Sequence, residues 1–126
     1  MNCSDISILG LAYLGDGVYE LLVRTYLAEH GLLGARNMHN RTVGIVNARA
    51  QSAAAEKILP LLTEDERDVF RRGRNAKVNS VPKNAGEKEY HEATALEAVF
   101  GWLWVNDNRE RIKELFKLCI STESGE

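Results

Sequence analysis

Residues 11–20 run Leu11-Ala12-Tyr13-Leu14-Gly15-Asp16-Gly17-Val18-Tyr19-Glu20, an apolar helical pattern with one acid set between two glycines. Leu14, Val18, Leu21, Leu22 and Tyr26 recur at helical intervals and are expected to form the apolar stripe of a helix from Leu9 to Glu29. Gly31 and Gly34 should close that helix, because glycine readily takes the left-handed conformation in which many helices end. A glycine inside a helix costs roughly 1 kcal/mol relative to alanine. Such a cost is tolerated where another group must approach the backbone closely. Asp16 and Glu20 share a face, expected roughly opposite the stripe. Two readings fit them: a solvated face on which Glu20 pairs with Arg24, or an acidic pair with a chemical task.

Outward from this segment the helical period continues. A second helix is expected from about Asn40 to Ile58, rich in alanine and stopped by Pro60. Thr63 followed by Glu66 has the form of a capping box, opening a short charged helix through Val69 and Phe70 to about Arg72. Gly73 to Glu87 holds Asn75, Asn79, Ser80, Pro82, Asn84 and Gly86 but few large apolar residues, which is the texture of a loop. Helix resumes near Tyr90, runs to about Val105 and breaks at Asn106-Asp107-Asn108. A last amphipathic helix carries Ile112, Leu115, Phe116 and Leu118, and a polar tail starts at about Ser121. No stretch alternates apolar and polar residues as a strand would. The fold class is therefore all-α, a helical bundle forming one domain over residues 1–126.

The 126 residues carry a net charge of −2, with 44% hydrophobic and 27% charged side chains. That balance is ordinary for a globular domain and implies no strong overall attraction to nucleic acid. Any RNA-binding reading must rest on where the cations lie. Met1 to Leu11 has neither a basic start nor a long apolar run, so no secretion signal or membrane anchor is expected, and a cytoplasmic protein is. Cys3 and Cys119 sit near opposite ends without metal-ligand spacing and read as reduced structural thiols. His30, His39 and His91 have no His or Cys partner at zinc spacing. Gly15-Asp16-Gly17 lacks the Lys-Ser/Thr of a P-loop, and nothing resembles a nucleophile elbow.

A second acid is out of place. Glu97 stands in Ala95-Leu96-Glu97-Ala98-Val99-Phe100-Gly101-Trp102-Leu103-Trp104-Val105, which is apolar nearly all round and so expected to be buried. A carboxylate there needs an arginine, a metal or hydrogen-bond donors. Asp16 and Glu97 on separate helices suggest a metal site between helices of a bundle, with oxygen ligands that suit Mg2+. Arg71, Arg72, Arg74, Lys77, Lys83 and Lys88 fall in one window, interleaved with amide and hydroxyl side chains. Such a loop can hold phosphates and 2′-hydroxyls without reading bases. It can equally be a solvated connector.

Three segments together resemble the hallmarks of the Mini-ribonuclease III family: Leu14-Gly15-Asp16-Gly17-Val18-Tyr19-Glu20, Arg72-Gly73-Arg74-Asn75-Ala76-Lys77, and Thr94-Ala95-Leu96-Glu97-Ala98-Val99-Phe100-Gly101. The likeness spans about Ile8 to Val105. The resemblance implies a ribonuclease III endonuclease-type helical fold without the double-stranded-RNA-binding domain, a homodimer, and Mg2+-dependent hydrolysis of phosphodiesters in double-stranded RNA, with Mn2+ a possible substitute. It also implies maturation of ribosomal RNA, especially large-subunit precursors. Asp16 matches the signature aspartate and Glu97 the later glutamate, so these two are the expected catalytic and metal-binding residues, with Glu20 as a helper at the metal, either an outer ligand or a partner of a ligand. Arg72, Arg74, Asn75, Lys77 and Lys83 are expected to grip RNA. Full-length ribonuclease III has a glutamate where Ala12 stands and an aspartate where Thr94 stands, which leaves the number of metal ions open. A non-catalytic RNA-binding module for ribosome assembly would need the basic loop but not both acids. A helical domain that binds protein would leave the loop and the buried acid without a purpose.

Overall fold

Ser7 starts the first helix. Its hydroxyl accepts a hydrogen bond from the Gly10 amide at 3.0 Å, and α1 runs Ile8–Glu29. The computed structural model describes residues 5–31, 34–77 and 86–121. Over these, α1 is followed by α2 (Ala35–Ile45), α3 (Ala48–Ile58), a 3-10 turn (Leu59–Leu61), α4 (Glu64–Arg74), α5 (Glu87–Val105) and α6 (Arg109–Ile120). The described residues contain no strand. None of their helices is long and apolar enough to cross a membrane.

The expected single helix from Asn40 to Ile58 is two helices. Asn47 makes the break: its side chain accepts from the Ala50 amide at 2.9 Å as the α3 cap, while its amide donates back to the carbonyls of Val43 and Gly44. One short polar side chain thus ends α2 and begins α3. The capping box at Thr63 forms as expected, with both reciprocal bonds made. Gly31 and Gly34 both take positive φ, 71° and 80°, closing α1 and opening α2. Two expected boundaries move outward: α4 continues to Arg74, and α5 begins at Glu87 rather than near Tyr90.

The α1 stripe is displaced from its expected place. Leu11, Ala12, Gly15, Tyr19, Val23 and Leu27 are buried, whereas Leu21 is 60% exposed and Leu14, Val18, Leu22 and Tyr26 are half-buried. α1 is apolar on several sides, so periodicity alone could not say which side faces inward. The shift moves Asp16, next to Gly15 and one turn after Ala12, from opposite the packed face to its flank.

α5 is the central helix, as its nearly continuous apolar surface requires. Ala95, Leu96, Ala98, Val99 and Phe100 have no exposed surface at all. α1, α3, α4 and α6 pack around it. Tyr19 meets Phe100 and Phe116 edge to face, with ring centroids 5.2 and 5.6 Å apart. The Arg111 guanidinium grips both carboxylate oxygens of buried Glu66 at 2.9 Å and also bonds the Leu61 carbonyl. This ties α6 to α4. Cys119 is a buried free thiol whose burial pushes its pKa up to about 12, consistent with an inert structural role; Cys3 lies outside the described residues.

Candidate active site

Two glycines set how closely α1 and α5 approach. A Cβ on Gly15 would lie 1.6 Å from the Glu97 carbonyl oxygen, and one on Gly101 would lie 1.9 Å from the Leu11 carbonyl oxygen. No side chain could fit at either point, so the two helices touch backbone to backbone. Because Gly15 meets Glu97 while Leu11 meets Gly101, the helices run antiparallel, and Asp16 is delivered beside Glu97. Gly17, by contrast, has open space around it. The expected close approach therefore holds for Gly15 and not for Gly17.

Glu97 is only partly exposed, and the arginine considered for it from sequence is not among its hydrogen-bond or ion-pair partners in the described residues. Its Oε2 instead accepts a hydrogen bond from Gln51 Nε2 at 3.3 Å, and its carboxyl reaches that of Asp16. Burial, then the charge of Asp16, pushes its pKa up to about 8. Two carboxyl groups held this close behave as one site. A cation placed between them would offset the cost of a charged Glu97 carboxylate there. Among the described residues no three His, Cys, Asp or Glu side chains converge to hold a metal by themselves. The donor set thus fits a cation that retains much of its hydration, which is the habit of Mg2+.

The remaining expected site residues separate into groups. Glu20 accepts from Arg24 Nη2 at 2.5 Å, the pairing that i,i+4 spacing allows. Ala12 and Thr94, which stand where full-length ribonuclease III has acids, are both buried; the Thr94 hydroxyl bonds its own helix at Tyr90 O, 3.0 Å away. Arg72 and Arg74 are exposed in the last turn of α4, Asn75 caps it, and Lys77 is exposed just beyond. Gly73 brings this end of α4 onto α5, since a Cβ there would meet Ala95 and Ala98 at 3.0 Å. Lys83 lies outside the described residues. Gln51 and Ser52 did not stand out in sequence: a polar pair in an alanine-rich helix looks like a solvated face. The presence of two acids on the neighbouring helix is their only signal, and only the fold makes it visible.

The ribonuclease III domain family matches residues 9–108. A Mini-ribonuclease 3 from Symbiobacterium thermophilum is 43% identical over 86% of this chain and 84% of its own length. A Mini-ribonuclease 3-like protein from Ilyobacter polytropus is 40% identical, covering 96% of this chain and 94% of its own. A crystal structure of a protein from Fusobacterium nucleatum superposes with a TM-score of 0.83 at 33% identity, over 90% of this chain and 93% of that one. The helical fold agrees with these matches, and the chain belongs to the ribonuclease III family of endoribonucleases, within its Mini-ribonuclease III group.

Proposed function

We propose that this protein hydrolyses phosphodiesters in double-stranded RNA with Mg2+, acting as a symmetric homodimer in the cytoplasm. The observation that carries the reading is the carboxyl pair of Asp16 and Glu97, held together by a backbone contact that excludes side chains. A bound Mg2+ supplies Lewis-acid charge at the phosphate and a water of lowered pKa. The chain's own groups do the rest. Asp16 and Glu97 would hold the cation between α1 and α5, and the Gln51 amide supports the Glu97 carboxylate. Arg72, Arg74, Asn75, Lys77 and Lys83 hold the RNA backbone, with cations for phosphates and amides for 2′-hydroxyls. Glu20 contributes by fixing Arg24 near the same face. Family membership supports a ribosomal RNA precursor, especially of the large subunit, as the natural substrate.

The test is a long RNA duplex incubated with Mg2+, beside a chelated control, for the parent and for Asp16→Asn. Asparagine keeps the shape of aspartate and removes the charge that attracts the cation. Cleavage should vanish in the variant and in the chelated parent, while melting temperature and duplex affinity stay near parental values. Glu97→Gln should follow the same pattern. A folded Asp16→Asn protein that cuts at the parent rate ends this reading.

A further inference from the structure

Consecutive residues of α3 each reach a different carboxylate of α5. The Gln51 amide donates to Glu97 Oε2 at 3.3 Å, and the Ser52 hydroxyl donates to Glu92 Oε1 at 2.5 Å. Gln51 is 4% exposed and Ser52 6%. Glu92 is itself buried, at 8%, so its bond to Ser52 is made away from water. A buried amide that has lost its hydration is kept only where a partner meets it. The partner that Gln51 meets is one of the two acids at the α1–α5 crossing.

We infer that Gln51 is a positioning residue for the metal-binding carboxylate: it fixes one oxygen of Glu97 and so sets the orientation in which the pair receives a divalent cation. This rests on the reading of Asp16 and Glu97 as a metal site. Glu97 has rotatable bonds between its backbone and its oxygens, and the glycine contacts fix only the backbone. An amide donor at Oε2 removes one of the orientations that remain. It donates to the charged form and cannot titrate, so it supports the carboxylate without competing for the cation. Groups that orient metal ligands in this way commonly contribute ten- to a hundredfold to metal affinity or activity, as an order of magnitude. Ser52 acts one step further out. By holding Glu92 it fixes how α3 lies along α5, and its hydroxyl bonds that acid rather than Asp16 or Glu97.

The experiment compares Gln51→Met, close in shape but without the donor, with Ser52→Ala and Asp16→Asn. Each is measured for melting temperature, for Mn2+ affinity by electron paramagnetic resonance, for the Mg2+ concentration giving half-maximal duplex cleavage, and for duplex affinity in chelator. For Gln51→Met, Mn2+ affinity should fall about tenfold or more and the Mg2+ requirement should rise in parallel. Duplex affinity in chelator should not change. Ser52→Ala should lower the melting temperature while keeping the parental Mn2+ affinity. Gln51→Asn keeps the position polar, which protects the fold if methionine does not, but its amide falls short of Glu97; it should lose Mn2+ affinity as well. Parental cation dependence in a folded Gln51→Met or Gln51→Asn protein overturns the inference, provided Asp16→Asn has lost Mn2+ binding. If Asp16→Asn binds Mn2+ like the parent, the underlying assignment of the metal site fails with it.

Discussion

A Cβ placed on Gly15 would stand 1.6 Å from the Glu97 carbonyl oxygen, whereas one placed on Gly17 meets nothing within 4 Å. Gly15→Ala should therefore force α1 and α5 apart, with a loss of about 3 kcal/mol or more, at the upper end of overpacking effects. Gly17→Ala should raise stability by about 0.5–1 kcal/mol, because alanine restricts the unfolded chain and suits a helix. Thermal unfolding of the two variants decides this, and equal effects would contradict the geometry. At this scale the sequence was informative where a residue clashed with its surroundings. Asp16 between glycines and Glu97 in an apolar helix both stood out, and the fold brings the two together. Gln51 did not, because a glutamine among alanines violates no local rule. The burial of Glu66 and Glu92 was also invisible, since each becomes acceptable only through partners 45 and 40 residues away.

Helix existence was legible throughout, and helix ends were legible where a side chain announced them. Thr63 and Glu66 did so; Asn47 could have, but the alanine-rich run that follows it made one continuous helix the simpler pattern. The inward side of α1 was not legible, because that depends on where α5 lies. Glu66 shows how an end-forming residue acquires a second task. One of its oxygens receives the Thr63 amide at 2.9 Å, and both receive Arg111. Burial alone would raise its pKa, but these hydrogen bonds outweigh that and hold it below its ordinary 4.5. The folded state thus binds this proton less tightly than the unfolded chain. The resulting stabilisation is fully present above the unfolded pKa near 4.5 and is lost as pH falls through the lower folded value. Melting temperature should therefore drop between about pH 5 and pH 3, and Glu66→Gln should be less stable at pH 7 with a smaller drop on acidification. An identical pH profile in the variant would mean that the α4–α6 tie adds nothing measurable.

For the whole molecule, the exposed large apolar residues fall into those at one end of the α1–α5 pair and those elsewhere, Leu21, Val43 and Leu61. Leu9 is 39% exposed, Tyr13 81% and Trp104 38%, and the antiparallel crossing puts all three towards the same end of the α1–α5 pair. Among the aromatic residues Tyr19 is core, Trp102 is half-buried and Trp104 is exposed, with Arg109 4.2 Å over its ring. A second copy seated on this end would cover the patch and offer one acid pair to each strand of a duplex. Sedimentation should show a dimer, and Tyr13→Glu should shift it to monomer and depress cleavage. A parental protein that is monomeric while fully active would refute the assembly. The contact at Gly15 and Gly101 also has a mechanical meaning. Two rods that touch without padding rock about the point of contact, and displacement grows with distance from it. Glu29, fourteen residues beyond Gly15, is roughly 21 Å along the axis at 1.5 Å per residue, while Asp16 is next to the fulcrum. Val23 and Leu27 hold the far part of α1 in the core, so a tilt of the helix would be felt there first, and the spacing of the two acids is the feature of the helix pair least sensitive to it.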